Sequence, residues 1–257
     1  SYTAQTNSEL LNWGTFAATT LTSNGTDTGS ITNYGDLDVG TATVDMLITN
    51  LKTATFDTLT VNGGTVTNGS ADAENSGIEL TTNALTTANG SIVRNNATLT
   101  SETTSISGSY ENAEGATADF GALTVAENGL LGNGGTVNAD SLKQTGGQIQ
   151  NNGEMTIAGS AASSIAGSIT NTDTLTFEAG AAVSVVDGAK VMNTGKMTFE
   201  TDVNLTGGSI VQNSDTAMEF TNLTITGGLL DVELEKVVNG SGNLLVNAGA
   251  DATAIEN

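Results

Sequence analysis

The chain has 257 residues, and its 28 acidic against six basic side chains give a formal charge of −22 at pH 7. A nucleic-acid binder needs clustered lysine and arginine to displace counterions, so this composition argues against that class, and an anionic membrane surface would repel the chain. Cysteine and histidine are absent, which excludes disulfides and thiolate sites and removes the usual ligands of zinc.

The residue types favour short strands joined by tight turns. Charged residues make up only 13% of the chain and proline is absent, which is unlike the charge-rich and proline-rich composition of a disordered protein. Threonine, glycine and asparagine dominate, with regularly placed valine, isoleucine and leucine. Threonine and valine fit a pleated surface, whereas glycine and asparagine tolerate positive φ angles in turns.

One short pattern recurs along the chain: an aliphatic residue, once replaced by tyrosine, is followed two positions later by asparagine. It begins at Leu10 and Asn12, and the steps between successive asparagines run from 17 to 27 residues, about 20 on average. Such a period indicates a repeat architecture. The repeated asparagines are Asn12, Asn33, Asn50, Asn68, Asn95, Asn112, Asn133, Asn151, Asn171, Asn193 and Asn213.

Apolar pairs continue each repeat after its asparagine. Leu37 and Val39 follow Asn33 by four and six residues, and a further pair such as Leu59 and Val61 often comes next. A spacing of two places both side chains on the same face of a strand. Each repeat therefore predicts three short strands, with a turn at the asparagine, then a loop, and then a turn at glycine.

Repeats of this size cannot form a core alone, but stacked repeats bury one another's apolar faces. We therefore predict an all-β fold, a single-stranded parallel β-helix (β-solenoid) of about 12 coils with about 20 residues in each. The stacked asparagine amides are expected to hydrogen-bond to one another and to the turn backbone, forming a ladder. Their regular recurrence favours this structural role over ligand binding.

The predicted domain organisation is a single β-solenoid domain over residues 1–257. Residues 1–21 are expected to form the first coil or an assembly segment, and residues 233–257 to form less regular coils. Residues 70–77 are predicted to be an inserted loop, because the repeat step that contains them is 27 residues long. Inserted loops of solenoids often carry recognition, although a tolerated surface loop is the simpler interpretation.

The phrases "GSITNTDTLTF", "GGQIQNNGEMTI" and "VVNGSGNLLVNAGA" resemble the passenger regions of bacterial autotransporters and related filamentous-haemagglutinin-like adhesins, in which glycine-rich coils recur. The resemblance covers about residues 10–247. It implies a right-handed parallel β-helix that is exported to the bacterial surface through an outer-membrane translocator. Passengers of this kind include adhesins, aggregation factors and enzymes, so the resemblance is more specific for architecture than for function.

Catalytic constellations are not evident in the sequence. A polysaccharide hydrolase needs two or three carboxylates that face one groove, and we interpret the closest groups as solvated surface acids. The oxygen-rich segment 24–30 lacks the spacing of a calcium-binding loop. We therefore expect no catalytic residue, no cofactor and no metal site. The two acidic groups are Asp72, Glu74 and Glu79, and Asp231, Glu233 and Glu235.

Ice binding is a further use of threonine-rich solenoids, and the sequence contains several Thr-x-Thr pairs. Because these pairs do not fall in consecutive repeats, we expect no ordered plane of threonines. The pairs are Thr58/Thr60, Thr98/Thr100, Thr174/Thr176 and Thr224/Thr226.

The sequence thus favours a non-catalytic structural or adhesive protein that is secreted or displayed on the bacterial cell surface. The expected partners are host glycans, surface proteins, or identical subunits joined end to end or side by side, whereas nucleic acid and direct membrane insertion are not expected. The alternative is a subunit of a self-assembling extracellular filament built by head-to-tail stacking, because solenoid ends expose unpaired strand edges. A polysaccharide-acting β-helix enzyme is the third possibility.

Overall fold

The computed structural model of the chain describes residues 1–5, 7–24, 29–72, 75–233, 235–246 and 255–256. Within these ranges every regular element is a β-strand and none is a helix. The strands are parallel to their neighbours and stack about 20 residues apart in sequence, which forms a β-solenoid of about 12 turns. This confirms the predicted all-β, parallel solenoid.

Short and long strands alternate along the chain. From the N-terminus the strands are β1 (Tyr2–Gln5), β2 (Glu9–Asn12), β3 (Thr15–Asn24), β4 (Ser30–Asn33), β5 (Asp36–Val44), β6 (Leu47–Asn50), β7 (Thr53–Val61), β8 (Thr65–Asn68), β9 (Glu79–Thr87), β10 (Ile92–Asn95), β11 (Thr98–Ile106), β12 (Ser109–Asn112), β13 (Thr117–Val125) and β14 (Leu130–Asn133). They continue as β15 (Thr136–Gln144), β16 (Gln148–Asn151), β17 (Glu154–Ile157), β18 (Ser163–Ile165), β19 (Ser168–Asn171), β20 (Thr174–Phe177), β21 (Val183–Val185), β22 (Lys190–Asn193), β23 (Lys196–Leu205), β24 (Ser209–Gln212), β25 (Met218–Ile225), β26 (Leu229–Val232), β27 (Val238–Gly240), β28 (Leu244–Val246) and β29 (Ile255–Glu256).

The chain divides into two compact units, Ser1–Gly121 with Gly129–Val137, and Ala122–Asn128 with Asn138–Asn257. In the first unit one sheet runs β1-β3-β5-β7-β9-β11 and the other runs β2-β4-β6-β8-β10-β12-β14. In the second unit the corresponding runs include β17-β20-β23 and β16-β19-β22-β24-β26-β29. Neighbouring turns pair residue on residue, so Asn33 of β4 lies beside an asparagine of β2 and an asparagine of β6.

The second and third predicted strands of a repeat run together in most turns. In β5 the buried residues are Leu37 and Val39 followed by Ala42 and Val44, so two residues rather than one separate Val39 from Ala42. The alternation of inward and outward side chains therefore shifts by one residue at this corner. The pairing of β5 with β7 continues on both sides of the corner. In two turns of the second unit the segments stay separate, as β17 and β18 and as β20 and β21.

The predicted apolar pairs line the interior of each unit. Leu59 and Val61 of β7 are both 0% exposed, and complete burial of one such side chain contributes about 1.5–3 kcal/mol to stability. In the second unit Phe177 and Phe199 occupy the same position in consecutive turns, and their rings stack with centroids 5.0 Å apart. Identical inward positions therefore form columns that are mostly apolar, with buried Thr82, Ser101 and Thr104 at some positions of the first unit.

The inserted loop predicted at residues 70–77 lies between β8 and β9, with Ala73 and Glu74 outside the described residues. Asn75 accepts a hydrogen bond from the Ser70 backbone N–H at 2.7 Å and donates one to the Ser70 carbonyl at 2.8 Å. This pair of bonds closes the base of the loop. Beyond it, β9 pairs with β7 in register from Glu79 onward.

The last turns bury less of their apolar surface than the earlier ones. Leu230 and Val232 of β26 are 3% and 7% exposed and continue the stack. Leu244 and Leu245 of β28 are 50% and 51% exposed, although β28 pairs with β25. Burial therefore falls off after β26 in the part of the C-terminal region that the structure describes.

Tyr110 occupies an inward position that holds Val93 and Leu131 in the neighbouring turns. Its ring is fully buried and packs edge-on against Phe120, with centroids 5.3 Å apart. Its hydroxyl meets no hydrogen-bond partner among the described residues. Burial, and secondarily the negative charge of Asp119, raises the pKa of the Tyr110 hydroxyl.

We expect Tyr110→Phe to stabilise the protein by about 1 kcal/mol, because the change removes a buried hydroxyl that has no partner. The wild type should also lose stability as the pH rises above about 10, since the unfolded tyrosine ionises there while the buried phenol stays neutral. The stability of Tyr110→Phe should fall less over the same pH range. Urea unfolding followed by circular dichroism, below and above pH 10, measures both effects, and a variant less stable than the wild type would contradict the assignment.

Candidate functional site

Asparagine side chains at the ends of the short strands form a hydrogen-bonded ladder inside each unit. In the first unit the Nδ2 of Asn12 donates to the Oδ1 of Asn33 at 2.7 Å, and Asn33 donates in the same way to Asn50 at 2.8 Å. The series continues through Asn68, Asn95 and Asn112 to Asn133 with distances of 2.8–2.9 Å. In the second unit it runs from Asn151 through Asn171 to Asn193 at 2.7 Å.

Each ladder amide also bonds to the backbone, so that little of its hydrogen-bonding capacity is left unused. Asn33 is 0% exposed, and its Nδ2 also donates to the carbonyl of Thr53 in the next turn at 2.8 Å. Its Oδ1 accepts the backbone N–H of Gly35 at 3.3 Å. Asn95 repeats this arrangement with the carbonyl of Thr117. A carboxamide suits this position because it both donates and accepts.

The ladder position after Asn193 is Gln212, and the sequence-based assignment of Asn213 to it is wrong. Gln212 pairs in register with Asn193 and accepts its Nδ2 at 2.7 Å, whereas Asn213 is exposed. The longer glutamine side chain carries its Nε2 to the carbonyl of Thr216 at 2.8 Å. The in-register residue of the next turn is Val232, so the described amide series ends at Gln212.

The acidic groups singled out in the sequence lie on the surface. Asp72 and Glu79 are exposed, as are Glu233 and Glu235, and Asp231 is half-exposed in β26. Glu74 and residues 25–28 of the oxygen-rich segment lie outside the described residues. In the part of the chain that the structure describes, no three acidic side chains come together in a way that could hold a metal ion.

An exposed aromatic stack is the feature that the sequence analysis missed. Trp13 is 71% exposed and Tyr34 is 39% exposed, and their rings lie parallel with centroids 4.0 Å apart. They follow the ladder residues Asn12 and Asn33 directly, so the in-register turns place one ring on the other. The signal was available in the sequence, because both aromatic residues occupy the same position of the repeat.

A polar cavity of about 360 Å³ lies beside the inserted loop. It is lined by Asn75 and Ser76 of the loop, by Asn96 and Thr98, and by Glu114 and Thr117 of the following turn. The lining offers amides, hydroxyls and one carboxylate, which suit a small polar ligand better than an apolar one. The aromatic stack and this cavity are thus two candidate contact sites on the first unit.

We expect Gln212→Ala to lower the free energy of unfolding by about 2 kcal/mol, because the change removes the side-chain acceptor of the buried Asn193 amide and leaves that amide only the carbonyl of Gly195. The matched control Asn213→Ala alters the exposed neighbour and should change stability by less than about 0.5 kcal/mol. Urea titration followed by circular dichroism compares the two. A larger loss for Asn213→Ala than for Gln212→Ala would mean that the ladder is assigned to the wrong residue.

No helix in the described ranges is long and apolar enough to cross a membrane. No family model, no curated protein and no solved structure matches the chain.

Proposed function

We propose that the chain is a non-catalytic structural and adhesive protein of a bacterial surface, acting as a passenger or stalk of the autotransporter type. The observation that carries the proposal is the buried amide ladder. It fixes the register of the turns from within and leaves the outward side chains free to contact a ligand. The resemblance of the glycine-rich phrases to autotransporter passengers supports the proposed surface location.

The outward side chain differs from turn to turn, whereas the inward side chain next to it stays asparagine. The column next to the ladder in the first unit changes from threonine at Thr49 and Thr67 to Arg94 and then Glu111. Arg94 and Glu111 form an ion pair at 2.9 Å, but both side chains are nearly half exposed. Such a pair contributes less than about 1 kcal/mol, so this surface is free to change without loss of the fold.

The aromatic stack is the contact site that we assign to a ligand. The exposed faces and edges of Trp13 and Tyr34 offer apolar area with a polar rim, a combination common at binding hot spots. The formal charge of −22 opposes anionic ligands. Neutral glycans, whose C–H faces pack on aromatic rings and whose hydroxyls bond polar neighbours, therefore fit this surface better than sulfated or sialylated ones.

The protein coupled to beads should bind neutral glycans from solution and retain them without cleaving them. Trp13→Ala should weaken that binding at least about fivefold, since truncation of an aromatic hot-spot residue usually costs more than 1 kcal/mol. Leu47→Ala, which alters another exposed apolar residue of the first unit (45% exposed), is the matched control and should bind like the wild type.

Failure of the beads to bind any glycan or host-cell surface would count against the adhesive role, and release of shortened glycans would count against the non-catalytic one. Concentration-dependent fibres in electron micrographs, with no ligand binding, would favour the alternative of a head-to-tail filament.

A further inference from the structure

The first unit carries two aligned outward columns of small uncharged side chains, eight threonines with Ser105 and Ala84, which we call the threonine face. Parallel register places Thr20 beside Thr41 and Thr41 beside Thr58 in one column. The second column joins Thr22, Thr43 and Thr60 in the same turns. The complete threonine face consists of Thr20, Thr22, Thr41, Thr43, Thr58, Thr60, Ala84, Thr86, Thr103 and Ser105.

Both columns point away from the core. The residue between them in each strand is buried, as at Leu21, Ala42 and Leu59, so its two neighbours face outward. Five consecutive long strands, β3, β5, β7, β9 and β11, contribute to the face, and no register shift interrupts these columns. Thr3 of β1 extends the second column by one further turn.

The expectation that Thr-x-Thr pairs do not fall in consecutive repeats is wrong, because it overlooked Thr20/Thr22 and Thr41/Thr43, which precede Thr58/Thr60 in successive turns. The other three pairs that it considered lie outside the threonine face. Thr20, Thr41, Thr58 and Thr103 each follow a ladder asparagine by eight residues, and only Ala84 is displaced, by the inserted loop. The inserted loop ends before Glu79, and β9 pairs in register with β7 at Ala84 and Thr86. The repeat therefore already aligns the face in four of its five turns, and strand pairing aligns it in the turn that contains the inserted loop.

The threonine face is uncharged although the protein as a whole is strongly acidic. None of its ten residues is ionisable, whereas Asp57 and Glu102 lie at the exposed corner beside it and Asp45 lies on its other side. Among the described residues, the hydroxyls of Thr41, Thr58 and Thr60 meet no protein hydrogen-bond partner, so they are available to water.

The spacing of the face is that of a regular lattice. Neighbouring strands lie about 4.8 Å apart, and residues two apart along a strand are separated by about 6.7 Å, so the side chains of the face stand on a nearly rectangular grid. The β-branched side chain of threonine has few χ1 rotamers, which keeps this grid ordered. Both spacings are close to repeat distances on the surfaces of hexagonal ice.

From this geometry we propose that the threonine face binds ice. An ordered water lattice is an uncharged partner that both donates and accepts hydrogen bonds at regular intervals, which suits the unbonded hydroxyls of Thr41, Thr58 and Thr60. The Thr103 hydroxyl, in contrast, donates to the carbonyl of Asn83 at 3.2 Å. Five turns offer many such contacts at once, so weak individual bonds add up on a rigid surface. A second copy of the chain suits the face less well, because two acidic molecules repel each other on approach.

The test measures thermal hysteresis, ice-crystal shaping and inhibition of ice recrystallisation with the intact chain. The wild type should show all three, and Thr58→Lys should reduce thermal hysteresis at least about fivefold, because a long charged side chain holds the face away from the lattice. Thr41→Lys, in the same column, serves as the second variant if Thr58→Lys does not fold.

The matched control is Thr55→Lys, which adds the same charge to the same strand. Thr55 is exposed whereas Thr58 is half-buried, and the column of Thr55 contains Asp38 and lies across the corner from the threonine face. It should retain the wild-type activity, and circular dichroism should show that all variants are folded. The proposal is overturned if the wild type neither shapes ice nor slows recrystallisation, or if Thr55→Lys loses as much activity as Thr58→Lys.

Discussion

The carboxamide ladder is the interaction on which the rest of the structure depends. One turn of about 20 residues cannot bury a core, so each turn is stable only when it is aligned with its neighbours. An amide that both donates to the next turn and accepts from the previous one provides that alignment. Each bond contributes only about 1 kcal/mol, but a slipped turn would leave a buried amide unpaired at a cost of about 1–3 kcal/mol. The ladder therefore specifies register more than it adds stability.

Register fixed from within explains why the turns can differ in length. The chain from Asn33 to Asn50 spans 17 residues, and the chain from Asn68 to Asn95 spans 27, yet both pairs of amides meet at 2.8–2.9 Å. The extra residues leave the solenoid as a loop whose base is closed by Asn75. An insertion of this kind costs little in a structure held together by contacts between neighbouring turns.

The same arrangement separates the scaffold from the surfaces that we propose for function. The inward positions carry the ladder and the apolar columns, whereas the outward positions hold charged residues in one column, stacked aromatic rings in another and threonines in two more. In-register stacking places residues of similar type at one repeat position side by side, so that they form a column on the surface. The glycan and ice proposals both rest on such columns. The first uses two stacked aromatic rings, and the second uses the side chains of the threonine face.

The sequence by itself determined the solenoid, its parallel strands and most of its inward residues. These follow from periodicity, because an asparagine and an apolar residue at fixed spacing can be read without knowing which turns touch. Three features depended on lateral register in the tertiary structure: Gln212 rather than Asn213 in the ladder, the merging of two segments into one strand as in β5, and the return of β9 to register after the inserted loop. The sequence could not decide these features because loops of unequal length displace equivalent positions along the chain, and only hydrogen bonding between neighbouring strands identifies the residues that pair. The Trp13–Tyr34 stack and most of the threonine face, by contrast, recur at a constant distance from a ladder asparagine and could have been predicted from the repeat.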